Sequence, residues 1–268
     1  MRVSHAKNAR ANTISATATS AKHRLPICSL MGMETPTLPG VVLLHGWASC
    51  YADTWQATGI TDLFGDDARV CIGIDLLGHG TAPKPHDPGA YDDMGERIRS
   101  ALPKEPVDAI GFSLGALVLL EELIRDPSRF RRVVLAGIGD GVFAERDDGD
   151  SNRIIAGIHG TAPQDDNIAR LFGQYAAKGS NDVEALIAVL KRKRPSPYTE
   201  QSFAHITNDI LVVVGDKDFV LPADRLGGAF PNSTIHILRN TDHFKTPESF
   251  SFISTVMDFL KAETGAQN

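Results

Sequence analysis

Short apolar runs alternate along this chain with stretches whose apolar residues recur every three or four positions. Val41 to Leu44, Val70 to Ile74, Val107 to Ile110, Val133 to Ala136, Asp209 to Val214 and Ser233 to Leu238 read as strands. Leu117, Leu120, Leu123 and Ile124, between the third and fourth of these, fall at helical spacing. Strands alternating with helices predict an α/β fold with a mostly parallel sheet. With 268 residues and 42% apolar content, the chain can bury a sizeable core in one domain, spanning 33–268.

One interval departs from the alternation. Residues 138–207 are too many for an ordinary connection between a strand and its crossover helix. Within them Ile168, Leu171, Phe172 and Tyr175 lie at i, i+3, i+4 and i+7, and Val183, Leu186, Ile187 and Leu190 repeat the spacing. The pattern predicts two amphipathic helices forming a small cap. Asp147-Asp148-Gly149-Asp150 reads as a solvated hinge and Arg194-Pro195-Ser196-Pro197 as the exit of the insertion.

The third strand runs into Gly111-Phe112-Ser113-Leu114-Gly115, and a helical pattern follows at once. A Gly-x-Ser-x-Gly turn between strand and helix is where a strained, exposed serine nucleophile belongs, because only glycine fits beside the serine in so tight a bend. On the pentapeptide alone, a serine that merely caps the helix stays open. A serine hydroxyl is a poor nucleophile at neutral pH, so the chemistry also needs an imidazole to take its proton and a carboxylate to orient that imidazole. His243 lies in the loop Asn240-Thr241-Asp242-His243-Phe244 after the last strand. Asp218 lies in Gly215-Asp216-Lys217-Asp218 at the end of the strand before it. Asp216 and Asp140 compete with Asp218 for the acid's role, and a loop aspartate commonly serves only a turn or a cap.

The order Ser113, Asp218, His243, together with the strand-to-glycine turn Leu44-His45-Gly46-Trp47, resembles the α/β-hydrolase superfamily over residues 41 to 261. The resemblance implies a mostly parallel sheet flanked by helices, with Asp218 as the acid. It also implies an oxyanion hole formed by the backbone amides of Trp47 and Leu114. His45 and His79 match loop histidines of the family, and Asp75 is expected to bond loop amides. Under a cap, Ile154, Ile155, Ile158, Phe172 and Tyr175 would line an apolar acyl or alcohol site above Trp47 and Phe112. The activity implied is a serine hydrolase cleaving a small carboxylic ester through an acyl-enzyme, requiring no metal and no cofactor. Carbon-carbon bond hydrolases, thioesterases, perhydrolases and non-catalytic receptors share the fold.

The resemblance implies a small-molecule substrate, and composition argues against other partners. The formal charge of −6 and the lack of a basic stripe beyond Lys191 to Arg194 argue against nucleic acid, and that cluster reads as the solvated end of a helix. No apolar run approaches the roughly twenty residues that span a membrane. Cys28, Cys50 and Cys71 are odd in number and lack metal-ligand spacing, which fits packing thiols in a reducing, cytoplasmic setting. Residues 1–32 begin with a Ser-, Thr-, Ala- and Lys-rich stretch without acids and read as a disordered extension ahead of the first strand, with Met31 and Met33 at its end.

Overall fold

In the computed structural model, which describes residues 38–145, 148–193 and 197–261, the apolar runs form six strands. In chain order these elements are β1 (Val41–Leu44), α1 (Ile60–Asp66), β2 (Cys71–Ile74), α2 (Glu96–Ala101), β3 (Val107–Phe112), α3 (Leu114–Arg125) and β4 (Phe130–Ala136). The insertion follows with α4 (Gly149–Ile158), α5 (Asn167–Ala176), α6 (Val183–Lys191) and α7 (Glu200–Phe203). The chain then returns through β5 (Asp209–Gly215), α8 (Asp224–Gly227), β6 (Ser233–Leu238) and α9 (Phe250–Lys261). Residues 1–32 with Cys28, and Arg194-Pro195-Ser196 of the expected exit, lie outside the described residues.

The strands make one sheet in the order β2-β1-β3-β4-β5-β6, and every pairing is parallel. Both faces are covered, which explains the continuous rather than alternating hydrophobicity of the central strands. Val42 and Leu44 of β1 pack toward α2 and α3, while Val41 and Leu43 pack toward α1 and α9. Each fully buried leucine or valine contributes about 1.5–3 kcal/mol of transfer free energy. A lone carboxylate in such a strand would offset several of them. Asp108 of β3 is fully buried, yet it is enclosed by the guanidinium groups of Arg69 and Arg131 and by the Arg132 amide.

The sheet order also decides where a ligand can sit. From β1 the chain steps outward to β2, then crosses back to β3 on the other side of β1. The loops leaving β1 and β3 therefore diverge at their carboxyl ends, the place where open parallel sheets form a crevice. Gly46 and Trp47 follow β1, and Ser113 follows β3.

Sequence patterning differs from the structure in the insertion. It holds a further helix, α4, beginning at Gly149 inside the stretch expected to be a hinge. This helix carries no buried residue, and its apolar stripe is only Ile154, Ile155 and Ile158, too short a pattern to separate it from a loop. Arg192, expected at a solvated helix end, is instead 6% exposed and faces Glu121 of α3 at 3.8 Å. Among the described residues no helix is long and apolar enough to cross a membrane.

Candidate active site

Ser113 sits at the N-terminus of α3 with φ 51° and ψ −112°, a conformation that residues with a side chain rarely adopt. Neighbouring backbone holds it there: the Ser113 amide donates to the Ala136 carbonyl at 2.8 Å, and its own carbonyl accepts from Leu117 at 3.0 Å. The two flanking glycines are required by close approach. A Cβ on Gly111 would stand 2.7 Å from the Ala116 backbone, and one on Gly115 only 2.4 Å from the Leu44 carbonyl oxygen. Although Ser113 occupies the capping position of α3, its hydroxyl makes no capping bond. It turns instead to His243.

His243 Nε2 lies 3.0 Å from Ser113 Oγ, and Nδ1 lies 3.0 Å from both carboxylate oxygens of Asp218. An ionised carboxylate accepts only, so the Nδ1 proton donates to Asp218 and Nε2 is left to accept the serine proton. Asp218 and His243 are both buried, which excludes water from the pair. Asp218 is further fixed by the Val220 amide at 3.1 Å. The competing aspartates serve other ends: Asp216 accepts from the Thr241 amide, and Asp140 caps α8 through the Arg225 and Leu226 amides.

Two further histidines hold the loops in place. His45 donates from Nδ1 to the Gly46 carbonyl at 2.8 Å and accepts the Leu76 amide at Nε2, bridging the loops after β1 and β2. Burial pushes its pKa down, so it stays neutral in that role. His79 is buried beside it, and burial reinforced by His45 lowers its pKa to about 3. Asp75 accepts from the amides of Tyr51 and Thr81 and from the Thr81 hydroxyl. Against the burial that would raise its pKa, those bonds hold it below the usual carboxylate range.

Two cavities open on either side of Ser113, and Trp47, Phe172, Ser113 and His243 line both. The larger, of about 620 Å3, is walled by Leu117, Ile138, Val142, Ile154, Ile168 and Leu190. The smaller, of about 290 Å3, has Ser49, Thr54, Lys178 and Asn181 in its wall, as the larger has Asp140, Asp150 and Arg153. Phe172 of α5 stands between them, its ring against Trp47, Phe219 and Phe244 at 5.4–5.8 Å between centroids. Leu114 lines the larger cavity, while Phe112 and Tyr175 line the smaller. Among the described residues neither the Trp47 nor the Leu114 amide has a hydrogen-bond acceptor, which leaves both donors available.

Ile158 departs from expectation. It packs against Ala48, Ala176 and Leu186 and lines neither cavity, and Ile155 lines neither as well. Apolar residue type alone marks these isoleucines but does not say which of them turns toward a cavity. Sequence reading also passed over Phe219 and Phe244, whose rings lie 4.5 Å and 5.6 Å from that of His243. Their position directly after Asp218 and His243 was the available signal. Cys50 lines the smaller cavity, and burial raises its thiol pKa, which keeps it protonated.

Comparison with known proteins agrees with this architecture. The profile described as "Alpha/beta hydrolase family" matches residues 41–250. A 2-hydroxy-6-oxo-2,4-heptadienoate hydrolase of Pseudomonas putida is 26% identical over 262 residues, covering 83% of this chain and 89% of that protein. A pimeloyl-[acyl-carrier protein] methyl ester esterase of Nitrosospira multiformis is 31% identical over 116 residues, covering 41% of this chain and 42% of that one. Among solved structures, an esterase from Exiguobacterium antarcticum superposes with a TM-score of 0.64 at 20% identity, covering 84% of this chain and 92% of its own.

Proposed function

Because this chain belongs to the α/β-hydrolase family, we propose that it is a serine hydrolase cleaving a small carboxylic ester, with Ser113 as nucleophile, His243 as base and Asp218 as the acid that orients it. The observation that carries this reading is the continuous bond path from Asp218 through His243 to Ser113 Oγ. Ser113 Oγ attacks the ester carbonyl carbon as its proton passes to His243 Nε2, and the carbonyl oxygen becomes an oxyanion facing the Trp47 and Leu114 amides. The tetrahedral centre collapses, the carbon-oxygen bond to the alcohol breaks, and His243 returns the proton to the departing oxygen. Water, deprotonated by the same imidazole, then cleaves the acyl-enzyme and regenerates Ser113. Each amide of the hole is worth roughly a hundredfold to a thousandfold in turnover.

The inserted helices act as a cap, and the larger cavity takes the apolar part of the substrate against Leu117, Ile138, Val142 and Ile168. Replacing Ser113 by alanine is expected to abolish hydrolysis of short-chain 4-nitrophenyl esters while leaving the circular dichroism spectrum unchanged; retained turnover would remove Ser113 from the mechanism. A second reading, carbon-carbon bond hydrolysis, is favoured by the greater extent of the match to the heptadienoate hydrolase than to the methyl ester esterase. Parallel assays with graded 4-nitrophenyl esters and a 2-hydroxy-6-oxo-dienoate separate the two by kcat/KM.

A further inference from the structure

The turn Gly46-Trp47-Ala48-Ser49, which carries the Trp47 amide, does not hold its own shape. It is closed by one long bond, from the Ser49 amide to the Gly46 carbonyl at 3.3 Å. Its third residue, Ala48, has φ 59°, in the left-handed region that favours glycine and strains any residue with a Cβ. Such a conformation persists only where surroundings impose it. Two of those surroundings come from the insertion. The Asn181 carboxamide, in the turn between α5 and α6, donates to the Ala48 carbonyl at 3.0 Å and to the Tyr175 carbonyl at 3.2 Å. The Trp47 indole donates to the Leu186 carbonyl of α6 at 3.2 Å. The α5–α6 turn is itself tied down, since the next residue, Asp182, accepts from the Ala185 amide and pairs at 3.0 Å with the exposed His86 in the connection between β2 and α2.

We propose that Asn181 is a positioning residue: reaching down from the α5–α6 turn, it holds the Gly46–Ser49 turn in the conformation that presents the Trp47 amide to the oxyanion, with the indole bond to Leu186 as the second tie. The proposal rests on the reading of the Trp47 amide as an oxyanion donor. Its consequence is that seating of the inserted helices and assembly of the oxyanion hole are one event. A displacement of α6 that opens the cavities also releases Ala48 and turns the donor away.

The test uses the full-length protein and the variants Asn181→Ala, Asn181→Asp and Trp47→Phe. For each, kcat and KM are measured with 4-nitrophenyl butyrate, and the inhibition constant with butylboronic acid, whose tetrahedral serine adduct resembles the intermediate. Both Asn181 variants are expected to lose about tenfold to a hundredfold in kcat. KM should stay within about twofold, and boronate affinity should fall in step with kcat, as for an interaction realised in the transition state. Asn181→Asp is the decisive member: it keeps the shape of asparagine but, ionised, has no proton to donate to Ala48. Trp47→Phe keeps an aromatic ring against Phe172 and removes the indole tie together with part of the cavity wall, so a smaller loss in kcat is expected, with boronate affinity following it.

Parental kcat in Asn181→Asp would overturn the proposal in favour of simple space filling. A raised KM at unchanged kcat would overturn it in favour of substrate contact. A fall in kcat with unmoved boronate affinity would overturn it as well. Should Asn181→Ala melt below the assay temperature, the other two variants decide. Turnover retained by Ser113→Ala would instead sink the underlying reading. An inactive Ser113→Ala beside a fully active Asn181→Asp would sink the positioning role alone.

Discussion

The sheet and the inserted helices both reach Ser113, but they are held by different means. All six residues of β3 are buried, and α3 buries eight of its twelve, so the elbow between them has no freedom to relax. In contrast α4 buries none, and α5 only Ala169 and Ala176. They meet through glycines: a Cβ on Gly157 would stand 1.9 Å from the Ala169 carbonyl oxygen, and one on Gly173 2.2 Å from that of Gly157. By contrast α6, with six of nine residues buried, and α7, through Phe203, are rooted in the main core. The difference teaches a division of labour. The sheet fixes the atoms proposed to react, and a lightly attached pair of helices walls the cavities beside them.

The largest expected effect lies on the sheet side. Asp218→Asn should lower kcat by about ten-thousandfold, because the amide no longer enforces the imidazole tautomer that accepts from serine. Asp216→Asn and Asp140→Asn, whose carboxylates serve a loop amide and a helix cap, should leave steady-state turnover close to the parent. A reversed ranking would relocate the acid and break the contrast.

Glycine replacement compares the two regions directly. Gly115→Ala forces a methyl against the Leu44 carbonyl and should cost about 3 kcal/mol in urea unfolding. Gly157→Ala should separate α4 from α5 while leaving the main unfolding transition nearly in place, visible as faster amide exchange confined to 149–176. Equal global losses in both variants would mean that the insertion is as integral as the elbow.

Acid should also act on the sheet side first. His79 is held neutral by burial, with its pKa lowered to about 3 from 6.5, so below pH 6.5 the unfolded chain binds a proton that the folded one refuses. Stability is therefore complete above pH 6.5 and is lost as pH falls toward 3, at up to about 1.4 kcal/mol per pH unit from this group. In the insertion the Arg153 guanidinium pairs with Asp166 at 2.6 Å and holds its pKa at about 2, so that contact stays ionised over the same window. Urea midpoints against pH should flatten in His79→Gln; an unchanged slope would reject the assignment. The smallest effect is on specificity. Phe172→Ala joins the two cavities and should raise the kcat/KM ratio of long-chain to short-chain esters by about threefold to tenfold.

How much was legible in the sequence follows the same division. Gly111, Ser113 and Gly115 announce the elbow because its constraint is local: a tight bend leaves no room for side chains, whatever surrounds it. The central strands were legible because burial on both faces makes them continuously apolar, and the parallel sheet followed from the alternation of strands with helices. Choosing Asp218 over Asp216 and Asp140 needed the family resemblance, because all three sit in loops after strands and only three-dimensional approach separates them. In the insertion, local pattern gave α5 and α6 but misjudged Ile158, whose side chain turns to Ala176 and Leu186. It also left Arg192 in solvent, where the structure buries it beside Glu121. Asn181 carries no local signal at all, since its partner is a carbonyl 133 residues away.

The central claim is that His243 activates Ser113 as a nucleophile, and labelling with a fluorophosphonate followed by peptide mapping tests it most directly. The account predicts a single adduct on Ser113 that forms rapidly in the parent protein and is all but lost in His243→Ala. An adduct on another residue, or labelling of Ser113 at the same rate without the imidazole, would contradict it.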